Sequence, residues 1–209
     1  QTSNEVSLYN QKVVQEDFNV ELQHLCVEKS GSEQESIAPE IIKFSSMYPQ
    51  KVEVEFNIPG LIAYTDRGQK TEAELKVAVE YSIDGGATWM PFAQIGSGQT
   101  GITYNADTVY TVKENSSTTK SYKGVSVIKR QKPKQMRFVA SKTFSYSDIF
   151  DSNGKCKLVN NVIEIRAVRI NPSYQSAVEK GRSGYDLTNV SDTVYLNSIR
   201  TWCFDKKLS

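Results

Sequence analysis

Alternating polar and apolar residues mark two segments of the chain as half-buried strands. Residues 51–58 alternate without a break until Pro59-Gly60 interrupts them. Residues 74–83 repeat the pattern and end at Asp84-Gly85-Gly86, a strong turn signal. Further β-rich runs at 88–95, 137–139, 142–146, 162–170 and 193–204 are bounded by Asn, Asp, Gly or Pro. This spacing predicts an all-β chain, an antiparallel β-sandwich of the immunoglobulin or fibronectin type III kind.

The same pattern divides the chain into three parts. Residues 1–45 are predicted to be a lead-in with a first strand within 13–27, and residues 46–209 to be the sandwich. Between 96 and 135 the composition shifts to Ser, Thr, Gly and Lys. Two strand-like runs there, 108–113 and 122–130, predict an inserted hairpin with its turn at 115–119, projecting from the sandwich. The only helical signal is a single turn at 176–180.

Composition and charge narrow the function classes. The chain has 209 residues, 38% hydrophobic and 23% charged, with a formal net charge of +1. This composition is typical of a globular domain. The small net charge gives no overall electrostatic attraction to nucleic acid or to a membrane surface. No apolar run approaches the roughly 20 residues that span a bilayer. We expect a soluble protein made in the cytoplasm, and the ends of the sequence favour a piece of a longer polypeptide.

Cysteine and histidine supply no catalytic or metal-binding pattern. The three cysteines, Cys26, Cys156 and Cys203, are widely spaced and predict buried thiols rather than disulfides or a metal site. His24 is the only histidine, and nucleophile, zinc-hydrolase and phosphate-loop motifs do not occur. The sequence therefore predicts a protein that is not an enzyme and uses no metal or cofactor.

One short motif stands out in residues 82–89. It matches the Asp-box pattern of sialidases and other repeat propellers, in which Asp, Gly and Trp fix a hairpin turn. The matching residues are Ser82, Asp84, Gly86, Thr88 and Trp89. A propeller needs one copy for each blade, and the chain holds one copy. We therefore expect a structural turn, with Asp84 bonded to backbone amides and Trp89 packed beneath it.

A basic segment follows the predicted hairpin. Residues 129–137 hold five basic residues in nine. Together with a nearby tyrosine they form a candidate partner-contact patch: Tyr122, Lys129, Arg130, Lys132, Lys134 and Arg137. Such a patch could contact a polyanion, but Lys and Pro also protect exposed strands from aggregation. The solvated strand is the favoured interpretation, and no nucleic-acid partner is expected.

Two pairs of segments resemble one phage protein family. The first pair is PGLIAYTDRG at 59–68 and TEAELKVAVEY at 71–81; the second is VIEIRAVRINP at 162–172 and DTVYLNSI at 192–199. In order and spacing they are similar to early and late strands of a fibronectin type III-like domain in the tail-tip attachment, or host-specificity, protein J of lambda-like phages. The resemblance spans residues 48–202 without the segment 96–134.

The resemblance implies a virion structural protein at the tail tip. Its partners would be other tail-tip proteins or neighbouring domains of the same polypeptide, in a full-length homotrimer, with indirect contact to a host receptor. It would be synthesised in the cytoplasm of a bacterial host. The alternative is a carbohydrate-binding module of a secreted bacterial protein, with Trp89, Trp202 or tyrosines of the inserted hairpin as stacking platforms. Solvent exposure of these rings discriminates between the two functions, because a sugar-stacking ring must face solvent, whereas a tryptophan of the sandwich core must not.

Overall fold

The computed structural model describes residues 12–22, 26–28, 34–36, 42–65, 67–113, 119–171 and 187–204. The strands are β1 (Lys12–Glu21), β2 (Cys26–Glu28), β3 (Gln34–Ser36), β4 (Ile42–Met47), β5 (Pro49–Ile58), β6 (Ile62–Thr65), β7 (Lys70–Thr71), β8 (Ala73–Ser82), β9 (Met90–Pro91), β10 (Ile102–Tyr104), β11 (Val109–Lys113), β12 (Thr119–Lys123), β13 (Val125–Arg130), β14 (Met136–Thr143), β15 (Val162–Arg169), β16 (Leu187–Ser191) and β17 (Tyr195–Cys203). The helices are α1 (Tyr146–Ile149) and a 3-10 turn at Val159–Asn161. His24, most of the predicted turn at 115–119 and the helical turn at 176–180 lie outside the described residues.

The first sheet has the strand order β1-β17-β5-β14, and all its ladders are antiparallel. Its central strand β5 buries every second side chain, as the alternation in the sequence predicts. Phe56 lies opposite Phe138 on one side and opposite Leu196 on the other. This register aligns the apolar faces of three strands toward the same side of the sheet.

The second sheet has the order β10-β13-β8-β15-β4, with β9 also pairing with β8. Its central strands β8 and β15 bury residues from both faces, so each lies between two layers of the protein. Smaller ladders join β16, β6 and β7 in one sheet and β2 and β3 in another. A third small ladder joins β11 and β12, so the described strands form two large sheets with three small additions.

The main core lies between the two large sheets. Its buried side chains come from alternate positions of the central strands, including Val52, Val54, Phe56, Ile58, Leu75, Val77, Val79, Phe138, Ile163, Ile165, Leu196 and Ile199. Each such side chain contributes about 1.5–3 kcal/mol on burial. The prediction of an all-β antiparallel sandwich is therefore confirmed.

The order of the strands adds detail to this class. In the constant-type immunoglobulin order the last strand shares a sheet with strands C and F. Here β8 and β15 pair as C and F would, but β17 pairs with β5 and β1, and β4 takes the edge beside β15. The narrower assignment to an immunoglobulin or fibronectin type III topology stays a prediction.

The segment 96–135 differs from the single projecting hairpin that the sequence suggests. Its strands β10 and β13 belong to the second sheet, where β13 pairs with β8 over six positions. Only β11 and β12 form a separate two-stranded ladder. The difference arises because β13 is apolar on both faces: Ile128 packs into the main core, and Val125 packs into a second cluster on the opposite face.

The hairpin β11–β12 covers the outer face of the second sheet. Tyr122 is buried there with Val125, Val168 and Ile170. The chain turns from β12 back into β13 at Gly124, whose φ of 66° favours glycine and whose added Cβ would lie 2.8 Å from Pro91 Cβ. The outer face of this sheet is therefore a second apolar layer.

The lead-in predicted for residues 1–45 also contributes to the sandwich. β1 pairs with β17 over Lys12–Glu21, and β4 pairs with β15. Phe18 of β1 packs edge-on against Phe44 of β4, with ring centroids 5.8 Å apart. These two edge strands close one side of the sandwich, so β1 and β4 belong to it, whereas β2 and β3 form a separate two-stranded sheet.

Candidate functional site

A tight turn after β8 carries the Asp-box-like motif. The Ser82 hydroxyl donates to Asp84 Oδ1 at 2.6 Å and accepts from the Gly86 amide at 2.9 Å. The Thr88 amide donates to Asp84 Oδ1 at 2.9 Å, and the Thr88 hydroxyl donates to Asp84 Oδ2. Gly85 and Gly86 have φ of 75° and 91°, the left-handed region that suits glycine. The Asp84 carboxylate therefore ties the two ends of the turn together.

The hydrogen bonds of the turn predict an unusually acidic carboxyl group. The Ser82 hydroxyl, followed by the Thr88 hydroxyl and amide, lowers the pKa of Asp84 from 3.8 to about 2. Because the pKa is lower in the folded state, the ionised carboxylate stabilises the fold at pH values above its ordinary pKa. This contribution is lost as the pH falls through about 2. We expect an NMR titration of the Asp84 carboxyl carbon to give a midpoint near 2.

Thr88→Val removes the hydroxyl donor and should shift the Asp84 midpoint back toward its ordinary value. A wild-type midpoint at the ordinary value would contradict the hydrogen-bonded turn.

Trp89 follows this turn and packs on the outer face of the second sheet. The Arg166 guanidinium lies 4.2 Å from the Trp89 ring centroid and 5.2 Å from that of Tyr122. Arg166 Nε and Nη2 both donate to Glu80 Oε1 at 2.8 Å. Glu80 Oε2 accepts the Lys123 amide at 3.0 Å. These contacts join the turn, the two central strands and the hairpin β11–β12.

The candidate partner-contact patch is not one continuous surface group. Tyr122 is only 1% exposed and belongs to the second apolar cluster, so it must be removed from the patch. The sequence placed it on the surface because the layer that buries it, the outer face of the second sheet, cannot be deduced from local alternation. The basic residues that remain are exposed or half-buried: Lys129, Arg130, Lys132, Lys134 and Arg137.

The remaining basic residues are spread over two sheets. Lys129 on β13 pairs with Glu74 at 3.5 Å, and Arg137 on β14 pairs with Glu55 at 3.9 Å. Lys132 lies between these strands, where its backbone pairs with Leu61. Because two of the charges are partly neutralised, the patch presents a weaker positive field than the sequence suggests.

Trp202 lies on β17, opposite Lys51 of β5. The ring is half-buried. Lys51 Nζ lies 4.9 Å from its centroid and the Arg200 guanidinium 5.8 Å away. Both tryptophans therefore have a cation over the ring, which leaves less aromatic surface for another molecule.

The structure describes the side chains of Cys156 and Cys203, and the predicted burial of Cys26 lies outside what it describes. Cys156 is half-buried and Cys203 is buried, and both thiols are free. Burial raises the pKa of Cys203, and the nearby Lys12 lowers it less. Across the described ranges, no three His, Cys, Asp or Glu side chains come together as a metal site. None of the described helices is both long and apolar enough to cross a membrane.

Sequence reasoning missed a buried polar network at the end of β15. Arg169 Nη2 donates to Asp192 Oδ2 at 2.7 Å, and its Nη1 and Nε donate to the carbonyls of Asp192 and Asn171. The Asn171 side chain donates to the Glu74 carbonyl and accepts the Lys76 amide. The only sequence signal is that Arg169 falls at an inward position of an alternating strand.

The comparisons with known proteins add no relative. A scan against protein-family models and a search of curated proteins each find no match to this chain. The fold and the contacts above therefore define the class, an antiparallel β-sandwich with a covered outer sheet face.

Proposed function

We propose that this chain is a structural domain of a phage or prophage tail-tip protein, supporting tail-tip assembly and host attachment. The observation that carries the structural role is the pairing of the buried charges. Glu80 and Arg169 are 1% and 2% exposed, and each is bound by partners within the fold. Such groups serve the architecture, since a reacting group has to reach a substrate. The tail-tip assignment rests on the sequence resemblance.

An open sheet edge supports a role in assembly. Among the described strands, β1 pairs only with β17, along one of its two sides. Along this strand Val13, Val14 and Val20 are each at least 38% exposed. An edge strand offers unpaired backbone groups to a neighbouring strand. In the proposed tail tip the neighbour is another domain of the same polypeptide or another tail-tip protein, and the full-length protein is a homotrimer, as the resemblance implies.

The carbohydrate-binding alternative, in its tryptophan-based form, has less support. A stacking platform presents an open aromatic face to the sugar. Trp89 and Trp202 are half-buried and lie under cationic groups, and Tyr122 is buried. These positions favour the structural interpretation over a sugar site built on those rings.

The test of the proposed function is the sequence that flanks this segment in its genome. The proposal predicts neighbouring tape-measure and minor-tail genes, with no secretion signal in the same reading frame. A signal peptide and a glycosidase domain in that frame would instead establish the carbohydrate-binding alternative.

A further inference from the structure

A pocket of about 320 Å³ lies at one end of the sandwich, beside α1. This volume is at the lower end of the roughly 300–1,000 Å³ that small-molecule sites occupy. It is lined by Tyr81, Ile83, Met90, Lys142, Phe144, Asp148, Ile149 and Lys157. The lining comes from the ends of β8, β9 and β14 together with α1 and the loop that follows. Its size suits a single-ring ligand.

The pocket has an apolar floor with an aromatic wall. Phe144 and Ile149 are buried, and Ile83 is half-buried. Tyr81 packs edge-on against Phe144, with ring centroids 5.5 Å apart. Lys142 covers the two aromatic rings, so the apolar contact open to a ligand comes from half-buried Ile83 and Met90, where C–H groups gain contact area without needing a hydrogen bond.

Polar groups of both signs face this floor. Lys142 Nζ lies 5.3 Å from the Tyr81 ring centroid and 5.4 Å from that of Phe144. Asp148 Oδ2 accepts the Ser145 amide at 2.8 Å, which fixes the carboxylate at the start of α1. The hydroxyl of half-buried Tyr81 makes no hydrogen bond within the described part of the chain. The pocket thus combines an ammonium donor, a fixed carboxylate acceptor and an unpaired phenol.

The lining of the pocket carries two lysines, Lys142 and Lys157, and one carboxylate, Asp148. Hydrogen bonds from the Ser145 amide and hydroxyl, and then the charges of Lys142 and Lys157, lower the pKa of Asp148. Burial and the Asp148 charge raise the pKa of Tyr81, which keeps its hydroxyl protonated. Lys157 Nζ donates to the Ser147 carbonyl at 2.6 Å, and an anion placed against Lys142 would be repelled by the Asp148 carboxylate. A molecule with several hydroxyl groups can instead donate to Asp148 and accept from Lys142 and Tyr81.

We propose that this pocket binds one ring of a neutral saccharide, whose hydroxyl groups bridge Asp148, Lys142 and the Tyr81 hydroxyl over the apolar floor. This site does not use Trp89 or Trp202, and it does not rest on the tail-tip assignment. A tail-tip domain and a secreted module could each carry it.

The test is a titration of the whole chain with neutral monosaccharides, followed by the amide shifts of the pocket residues in NMR spectra. The probes are glucose, galactose, mannose and N-acetylglucosamine, with acetate and inorganic phosphate as anion probes and glycerol as the additive control. We expect at least one sugar to shift the amides of Ile83 and Ile149 in a saturable way. Glycerol and the anions should leave these amides unchanged.

Two conservative variants link the binding to the pocket. Tyr81→Phe and Lys142→Met should each weaken sugar binding by about tenfold, the effect of losing one charged or pocket-buried hydrogen bond. The matched controls Tyr104→Phe and Lys134→Met lie outside the pocket lining and should leave binding unchanged. Unchanged thermal unfolding midpoints would show that the variants are folded.

Several results would overturn the proposal. One is the absence of any saturable sugar shift at concentrations in the tens of millimolar. Another is sugar binding that is insensitive to both pocket variants, and a third is binding of acetate or phosphate in place of the sugars. Loss of sugar binding in Trp89 or Trp202 variants would overturn the assignment of the sugar site to this pocket. It would also count against the structural tail-tip assignment.

Discussion

Replacing Glu80 with alanine is expected to lower the free energy of unfolding by about 3–5 kcal/mol, the usual cost of breaking a buried ion pair. The carboxylate accepts two hydrogen bonds from Arg166 and one from the Lys123 amide. Without it, the Arg166 guanidinium stays between Trp89 and Tyr122 with no counter-charge. Chemical denaturation monitored by tryptophan fluorescence measures the loss.

The Lys123 amide gives this prediction a local readout. It donates to Glu80 Oε2, so its hydrogen exchange should accelerate in Glu80→Ala as the hairpin β11–β12 loosens. Glu53→Ala is the matched control, because Glu53 pairs with Lys51 on a more exposed face. That exposed pair is worth about 1 kcal/mol or less. Equal losses in the two variants would contradict the central role of the Glu80 pair.

Asp192→Ala is expected to cost about 3–5 kcal/mol for the same physical reason. Arg169 is 2% exposed and Asp192 4% exposed. In the variant the guanidinium keeps two backbone carbonyls but loses its carboxylate. Because Arg169 lies beside Asn171, which bridges β8 and β15, the end of the second sheet should also lose hydrogen-exchange protection. Denaturation and exchange measured on the same sample check both effects.

A double replacement separates the charge from the packing. Arg169→Met together with Asp192→Leu removes both charges and refills the space, so it should recover much of the stability lost in Asp192→Ala. An Asp192→Ala variant within about 1 kcal/mol of the wild type, which is the worth of an exposed pair, would show that the network does not hold the sheet end.

The sequence predicts the core between the two large sheets well. It predicts poorly how the hairpin β11–β12 packs on the outer face of the second sheet. Strands β5 and β8 alternate so regularly that their buried faces follow from the period of two. The turn at Ser82–Thr88 was also predictable, because its hydrogen bonds are local and depend on fixed spacing. The packing of β11–β12 depends on contacts between distant segments, which no local pattern contains.

The charged residues show the same limit. Glu80 and Arg166 occupy outward positions of their strands, where alternation predicts contact with solvent. The hairpin covers them and turns a surface pair into a buried one. Arg169 and Asp192 are 23 residues apart, and only the folded chain brings them together. The exposure of a residue at an outward strand position therefore follows only from the packing of the neighbouring layer, as Tyr122 illustrates.

The most direct test of the proposed tail-tip role is immunogold labelling of phage particles induced from the strain that carries the gene. Antibodies raised against this domain should label one end of the tail, at its tip. Unlabelled particles, with the antigen instead found as free protein in the culture medium, would contradict the tail-tip assignment.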